Sequence, residues 1–435
     1  MNKRLLSFAL LLAVALTGYG QGGTDSPYSQ YGMGTLADQS QGFSRGMGGV
    51  GVALRRGNIA NSLNPAAYSA IDSLTMIFDA GMSGQVTNYS ENGTRVNAST
   101  ANFEYAVGTF RLMPNVGVSF GLLPLSNIGY TYTAENFLDI SNGTIYETYT
   151  GSGGMRQVFV GAGWRIAKPL SVGVNMGYLW GSYTRSVSTS TSTGTTSYIN
   201  SLSKVCTATV SSYNVQAGLQ WEQPLGRKDV LTLGTTMTLG HKLGSNPEYM
   251  MINSNTLTSN RDTTTLVAHN GLSLPMTYAV GAGWHHAGKL FVEADATLQK
   301  WGSVDMPDYD SSTGSYAQRS GLTKDCWKVA VGADYVPAGM SRLYLNRVHY
   351  RLGASYATPY YYINGHDGPK ELSVSAGFAL PLQNTWNTRA NMRPVLNISA
   401  QWARASARDL ITENTFRINI GLTFNERWFA KWKVD

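Results

Sequence analysis

Phe416-Arg-Ile-Asn-Ile-Gly-Leu-Thr-Phe424 alternates apolar and polar residues without a break and closes on an aromatic near the end of the chain. Successive side chains of a strand face opposite sides, so Phe416, Ile418, Ile420, Leu422 and Phe424 share one apolar face. That is how the last strand of an outer-membrane β-barrel reads, and the pattern recurs. Leu290, Val292, Ala294, Ala296 and Leu298 oppose Phe291, Glu293, Asp295, Thr297 and Gln299, while Val348, Tyr350, Leu352, Ala354 and Tyr356 oppose His349, Arg351, Gly353, Ser355 and Ala357. One face suits lipid and the other a polar lumen.

Fourteen such segments are expected, at 74–84, 102–112, 116–132, 153–166, 170–184, 204–221, 230–242, 273–284, 289–300, 326–336, 348–358, 371–381, 393–404 and 415–424. Their connections alternate in length. Met113-Pro114-Asn115, Ala167-Lys168-Pro169 and His285-His286-Ala287-Gly288 are tight, whereas 133–152, 185–203, 243–272 and 301–325 are long and polar. Short periplasmic turns and long outer loops are the asymmetry of a barrel. The turns 337–347 and 382–392 are longer than that rule wants, which predicts misplaced strand ends there. A single β-sandwich would have to hold some 350 residues in one core, beyond the size at which soluble domains divide.

Composition agrees with a lipid-facing surface. Only 14% of residues are charged, against about 25% in soluble domains. The 25 tyrosines and 10 tryptophans suit interfacial girdles. Lys3 and Arg4 precede an apolar run, Leu5–Leu16, and Gly18-Tyr19-Gly20 offers small residues for cleavage, so 1–20 reads as a secretory leader. With no cysteine near Gln21, a lipid anchor is not expected. No later run approaches the ~18 apolar residues of a spanning helix. Removing Lys3 and Arg4 with the leader leaves 31 basic residues against 26 acidic, too diffuse an excess for nucleic acid. Cys206 and Cys326 read as small apolar residues in strands.

Fourteen strands leave a hole unless something fills it. Residues 21–73 precede the first strand and are rich in Gly, Ser, Asn and Gln. Composition alone permits a disordered periplasmic tail. Met47, Val50, Val52, Leu54, Ile59, Leu63 and Tyr68 nevertheless supply enough apolar surface for a folded hatch, which is the reading adopted. The domain plan is therefore a leader (1–20), an N-terminal hatch (21–73), a transmembrane antiparallel barrel (74–424) and a short periplasmic tail (425–435).

Gly46-Met-Gly-Gly-Val-Gly-Val-Ala53 followed by Asn61-Ser-Leu-Asn-Pro-Ala-Ala67 resembles the hatch of FadL/TodX outer-membrane transporters for hydrophobic compounds, in a Bacteroidota-type form. Leu274-Pro275 leading to Val280-Gly281, Phe291–Asp295 leading to Trp301-Gly302-Ser303, Trp327–Tyr335, and Tyr350–Tyr356 with Pro359 look like the family's late strands in order. The resemblance implies a fourteen-stranded barrel in the outer membrane of a Gram-negative bacterium. It also implies a gate at Asn64, Pro65 and Ala66, passive uptake of a hydrophobic small molecule, and sideways exit through a kinked third strand. Pro65 fixes its own φ and keeps Asn64 out of the helical region, so the tripeptide is at least a rigid turn. Pro124, between Leu123 and Leu125, cannot donate to a ladder and marks either a bulge, a lateral opening, or the end of the strand.

Glu293, Asp295, Lys328, Asp334, His349, Arg351 and Arg417 face inward by the alternation. Ionisable groups in such an interior normally pair, so a salt-bridge network is the first reading. The second has Arg351 or Lys328 meeting a ligand carboxylate. The Ser/Thr-rich loop 186–203 and the polar loop 244–270 depart from the greasy outer loops of fatty-acid importers. That departure raises an alternative, a non-transporting barrel in a secretion or assembly complex, resembling the PorV type. Expected partners are accordingly outer-membrane lipid, a hydrophobic ligand or an envelope protein complex, and the barrel-assembly machinery during biogenesis.

No enzyme, cofactor or metal is expected. Gly46-x-Gly48-x-x-Gly51 matches a dinucleotide fingerprint with Asp72 downstream, but no strand precedes it. His285-His286 and His269 lack partners at metal-ligand spacing, and no Gly-x-Ser-x-Gly elbow occurs.

Overall fold

The computed structural model describes residues 23–138, 143–192, 200–255, 260–382 and 394–427. The expected leader and most of the expected C-terminal tail lie outside these residues. The fourteen wall strands are β1 (Thr75–Glu91), β2 (Thr94–Met113), β3 (Val116–Leu138), β4 (Gly143–Arg165), β5 (Leu170–Ser192), β6 (Asn200–Leu225) and β7 (Asp229–Thr238), then β8 (Thr277–His286), β9 (Leu290–Gln299), β10 (Cys326–Tyr335), β11 (His349–Ala357), β12 (Lys370–Pro381), β13 (Val395–Ser406) and β14 (Thr412–Arg427). Each pairs antiparallel with its neighbour in sequence. The ring closes where β1 meets β14, Phe78 opposite Phe424 and Val86 opposite Phe416. Closure pairs the first strand with the last, so neither end of the sheet is left as an edge in lipid, and the ladder is interrupted only between the outer parts of β2 and β3 among the described residues.

The alternation decides the faces as expected. Phe416, Ile418 and Ile420 point out and are 50%, 44% and 44% exposed, whereas Asn419, Thr423 and Asn425 are buried inside. Val160, Trp164, Met176, Val280, Val329 and Leu352 continue the apolar belt on other strands. The chain is an outer-membrane β-barrel.

Three expectations need correction. First, 133–152, 185–203 and 243–272 are not simply loops. Strands β3 to β6 run 23, 23, 23 and 26 residues, about twice what a crossing needs. Their outer halves join two further strands, Glu248–Asn255 and Asn260–Val267, in a six-stranded sheet beyond the membrane. Its Thr and Tyr residues favour strands, but both faces mix polar and apolar side chains, so no hydropathy alternation reveals it. Second, β7 stops at Thr238 and β8 begins at Thr277. Between them His241–Lys242 pairs with Ser273–Leu274 as a short ribbon, and Leu243, Leu272 and Leu274 are buried inside. Third, the ends of β10 and β11 fall within a residue of expectation. Residues 336–348 are a genuinely long periplasmic connection, held by Ala338 N–H donating to Asn346 O at 2.8 Å; most of the 382–392 turn lies outside the described residues.

Candidate functional site: the hatch and its seat in the barrel

Residues 23–74 lie inside the wall and are mostly irregular, with 3-10 turns at Pro27–Gln30 and Pro65–Ala70 and one helical turn at Gly42–Arg45. Such a chain has few internal backbone bonds, so its polar groups need partners elsewhere. Asn64 caps the second 3-10 turn, its Oδ1 accepting from Ala66 N–H at 3.1 Å, while its Nδ2 donates to Val52 O at 2.7 Å and to Leu219 O of β6 at 3.3 Å. Pro65 sits at the first position of that turn, where no N–H is needed. Asn64, Pro65 and Ala66 are all buried.

The wall accepts this turn because its inward positions are glycines. A Cβ on Gly117 would lie 1.9 Å from Tyr68 O, one on Gly163 2.4 Å from Pro65 O, and one on Gly173 2.3 Å from Pro65 C. These three residues stand side by side across β3, β4 and β5. On the far wall Gly332 and Gly353, opposite each other on β10 and β11, leave 2.3 and 2.1 Å to Met47 backbone atoms. Hatch backbone thus rests directly on barrel backbone on both sides of the lumen.

Ionisable side chains complete the seat. On β9, Asp295 Oδ2 accepts from the N–H groups of Gly51 and Val52 at 2.7 and 3.0 Å, and Glu293 Oε1 accepts from Ala53 N–H at 2.6 Å. On β10, buried Asp334 meets Arg56 of the hatch at 3.0 Å, Arg351 Nε of β11 at 3.1 Å and His349 Nδ1 at 3.0 Å. Arg351 further donates to Asn397 Oδ1 at 2.8 Å and lies 4.1 Å over the Phe43 ring. Arg45 ties the helical turn to Glu104 of β2 at 3.0 Å and to Asn419 of β14 at 3.1 Å. Burial by itself raises the Asp38 carboxyl; the Lys328 ammonium, the Arg45 guanidinium and the Ser40 N–H and hydroxyl outweigh it and hold the group below the usual carboxylate range. Burial pulls the Arg55 guanidinium down to about 10, partly offset by Glu222.

Of the residues singled out in the sequence, Glu293, Asp295, Lys328, Asp334 and Arg351 therefore converge on the hatch. Arg417 does not: it donates to Gln85 at 2.8 Å and Gln401 at 3.4 Å, both on neighbouring strands. Pro124 keeps its register with Arg156 of β4 and is followed by a bulge at Leu125, two residues past the last pairing of β3 with β2. The hatch arginines Arg45, Arg55 and Arg56 were not singled out, although their place in an otherwise uncharged apolar stretch was a usable signal.

Outward of the seat lies an apolar, tyrosine-rich chamber to which the hatch itself contributes Tyr28 and Met33. Tyr28, Met33, Ile128, Met155, Leu179 and Leu243 pack with Trp301, Tyr360 and Tyr361, and every one is at most 8% exposed. Side chains lining an empty tunnel would keep accessible surface, so this chamber is filled by its own walls. The space among Gly42, Arg45, Glu104, Tyr105 and Asn397 likewise admits no water-sized sphere. An open hollow of about 440 Å³ lies instead at the periplasmic rim, between residues 224–230 and 285–288.

The sequence profile of the BamG family matches residues 1–435, the whole chain. The chain belongs to the BamG family. No curated protein matches this BamG-family chain. Solved structures share its fold at low identity. The CymD monoaromatic hydrocarbon channel superposes with a TM-score of 0.59 at 14% identity, covering 92% of this chain and 100% of that one. A FadL homologue of Pseudomonas aeruginosa gives 0.63 at 12% identity, covering 91% and 99%. The Ralstonia pickettii toluene transporter TbuX gives 0.59 at 14% identity, covering 90% and 98%. The BamG-family barrel is thus FadL-like in fold, and the similar structures are channels and transporters, not enzymes. Its Gly46-x-Gly48-x-x-Gly51 run belongs to the seat, with Gly48 N–H donating to Ser375 Oγ at 2.8 Å.

Proposed function

We propose that this BamG-family protein works as a closed FadL-like barrel within an outer-membrane assembly complex, its hatch a built-in part of the wall and not a moving gate. The observation that carries this is the direct seating of hatch backbone on wall glycines, reinforced by the Glu293, Asp295 and Asp334 contacts. Moving such a hatch would break the Arg45–Glu104 and Arg56–Asp334 ion pairs and strip Glu293 and Asp295 of their N–H donors at once, and a buried ionisable group left without its partner costs several kcal/mol. The family name, BamG, points to the barrel-assembly machinery as the complex concerned. In this reading Asn64, Pro65 and Ala66 are a locking turn, and Lys328, Asp334 and Arg351 bind the hatch, not a ligand.

A second reading is passage of a hydrophobic compound. The fold shared with hydrocarbon channels and the apolar chamber around Trp301 and Tyr360 favour it. In that case Trp301, Leu243 and Tyr360 must separate before a ligand enters, and the bulge after Pro124 is the place for sideways exit.

Mass spectrometry on tagged protein released from native outer membranes in mild detergent separates the two. Stoichiometric recovery with envelope proteins and no lumenal small molecule is expected. Recovery alone, with an apolar molecule bound and uptake of labelled toluene into proteoliposomes, overturns the assembly reading in favour of the channel.

A further inference from the structure

The wall is incomplete between β2 and β3. These strands pair only from Ala106–Met113 against Val116–Leu122. Farther out, residues 94–105 keep only β1 as a ladder partner, and residues 123–138 keep β4. The inner part of this opening is occupied by the chain's own N-terminal segment. Thr35 and Leu36 pair antiparallel with Asn127 and Ser126, and Ala37 N–H donates to Leu125 O at 3.0 Å. Ser29 Oγ exchanges bonds with Gly129, at 3.2 Å to its carbonyl and 3.1 Å from its N–H. Beyond Gly129, no described residue pairs in a ladder with the open side of β3.

The contacts to Ser29 also reveal which backbone groups are available. Gly129 aims both its N–H and its C=O away from β4. The two-residue period of a strand gives Thr131, Thr133 and Glu135 the same direction. Their cross-strand partners on β4, Thr150, Thr148 and Tyr146, are then non-hydrogen-bonded pairs, whose side chains approach closely. Thr133 Oγ1 indeed lies 3.3 Å from Thr148 Oγ1. Thr131, Thr133 and Glu135 are exposed. Natural edges are usually blunted by charged side chains, lysine above all, by proline or by short length. From Tyr130 to Leu138 there is neither lysine nor proline, and Glu135 is the single charge.

We propose that the open edge of β3 from Thr131 to Glu135 is a strand-addition site for an extended segment of a partner protein on the cell's outer side. The inference deepens the assembly reading and rests on it for the existence of a partner. The occupant is an extended polypeptide because one already lies on the same edge: residues 35–37 bind it through backbone groups just below, the Ser29 side chain engages the next open backbone position at Gly129, and a partner strand continues that ladder outward. Main-chain bonds give such an addition its affinity.

The test is a photo-crosslinking residue at Thr131, expressed in living cells, with Thr133 left unchanged or replaced by Pro or Val. Thr133→Pro deletes an N–H that faces the opening and leaves the β4 pairs intact, while Thr133→Val keeps it. The expected result is an adduct with a second protein, reduced about tenfold by Thr133→Pro and unchanged by Thr133→Val. Heat-modifiable gel migration is expected to be the same in all three; if Thr133→Pro misfolds, Glu135→Pro serves in its place. No adduct, an adduct with lipid alone or with a second copy of this chain, or equal loss with Val, overturns the strand-addition site. A co-purifying complex without the adduct leaves the assembly reading standing and removes only this inference.

Discussion

Gly173→Ala tests the locked hatch most directly. The added methyl carbon lies 2.3 Å from Pro65 C, 2.5 Å from Pro65 O and 2.6 Å from Ala66 N. Comfortable carbon contacts are about 3.5–4.0 Å, so the 3-10 turn has to retreat by roughly 1 Å. Sideways escape is blocked, because Gly163 and Gly218 on the adjoining strands touch the same turn. Overpacking of this kind costs about 1–3 kcal/mol. Expressed as local opening, that multiplies the undocked hatch population by roughly 5 to 150. Hydrogen exchange on the purified barrel reads it as faster exchange of amides in 51–70, with the wall strands unaffected. Gly84→Ala is the control, since nothing lies within 4 Å of its added methyl. If the two variants exchange alike, the hatch is not seated as described and the assembly argument loses its main support.

Three further outcomes follow from the same contacts. Arg351→Ala leaves Asp334 buried with Arg56 and His349 alone, and a destabilisation of about 3–5 kcal/mol is expected, read as a lower midpoint for loss of the folded gel band; Arg417→Ala, which breaks only bonds to two glutamines, is expected to cost far less. Asn64→Ala loses the cap on Ala66 and the bond to Val52 and is expected to cost about 1–3 kcal/mol, again confined to hatch exchange. Because the Asp38 carboxyl is held below its ordinary range when folded, its contribution is fully present above the unfolded value of about 3.9 and is lost only as pH falls below that, through the folded value. Hatch exchange attributable to Asp38 is therefore expected to be flat from pH 8 to 5 and to rise below about 4, and Asp38→Asn to abolish that rise; a rise beginning near pH 6 contradicts the assignment.

The amino-acid sequence by itself determined the barrel. Strand β9 and strand β14 show their two faces in the alternation alone, because lipid outside and a polar lumen inside impose opposite demands every second residue. It also placed Glu293, Asp295, Asp334 and Arg351 on the inward face, since that period carries charge as readily as hydrophobicity. Only the tertiary structure decided what these charges meet: their partners, Gly51 to Ala53 and Arg56, lie some 240 to 280 residues away in an irregular segment without period. The outer extensions of β3 to β6 are not legible in the sequence because both of their faces mix polar and apolar residues, and no strict alternation marks one side. The wall glycines were visible as letters, but whether a glycine leaves space empty or admits another backbone depends on what the fold brings against it.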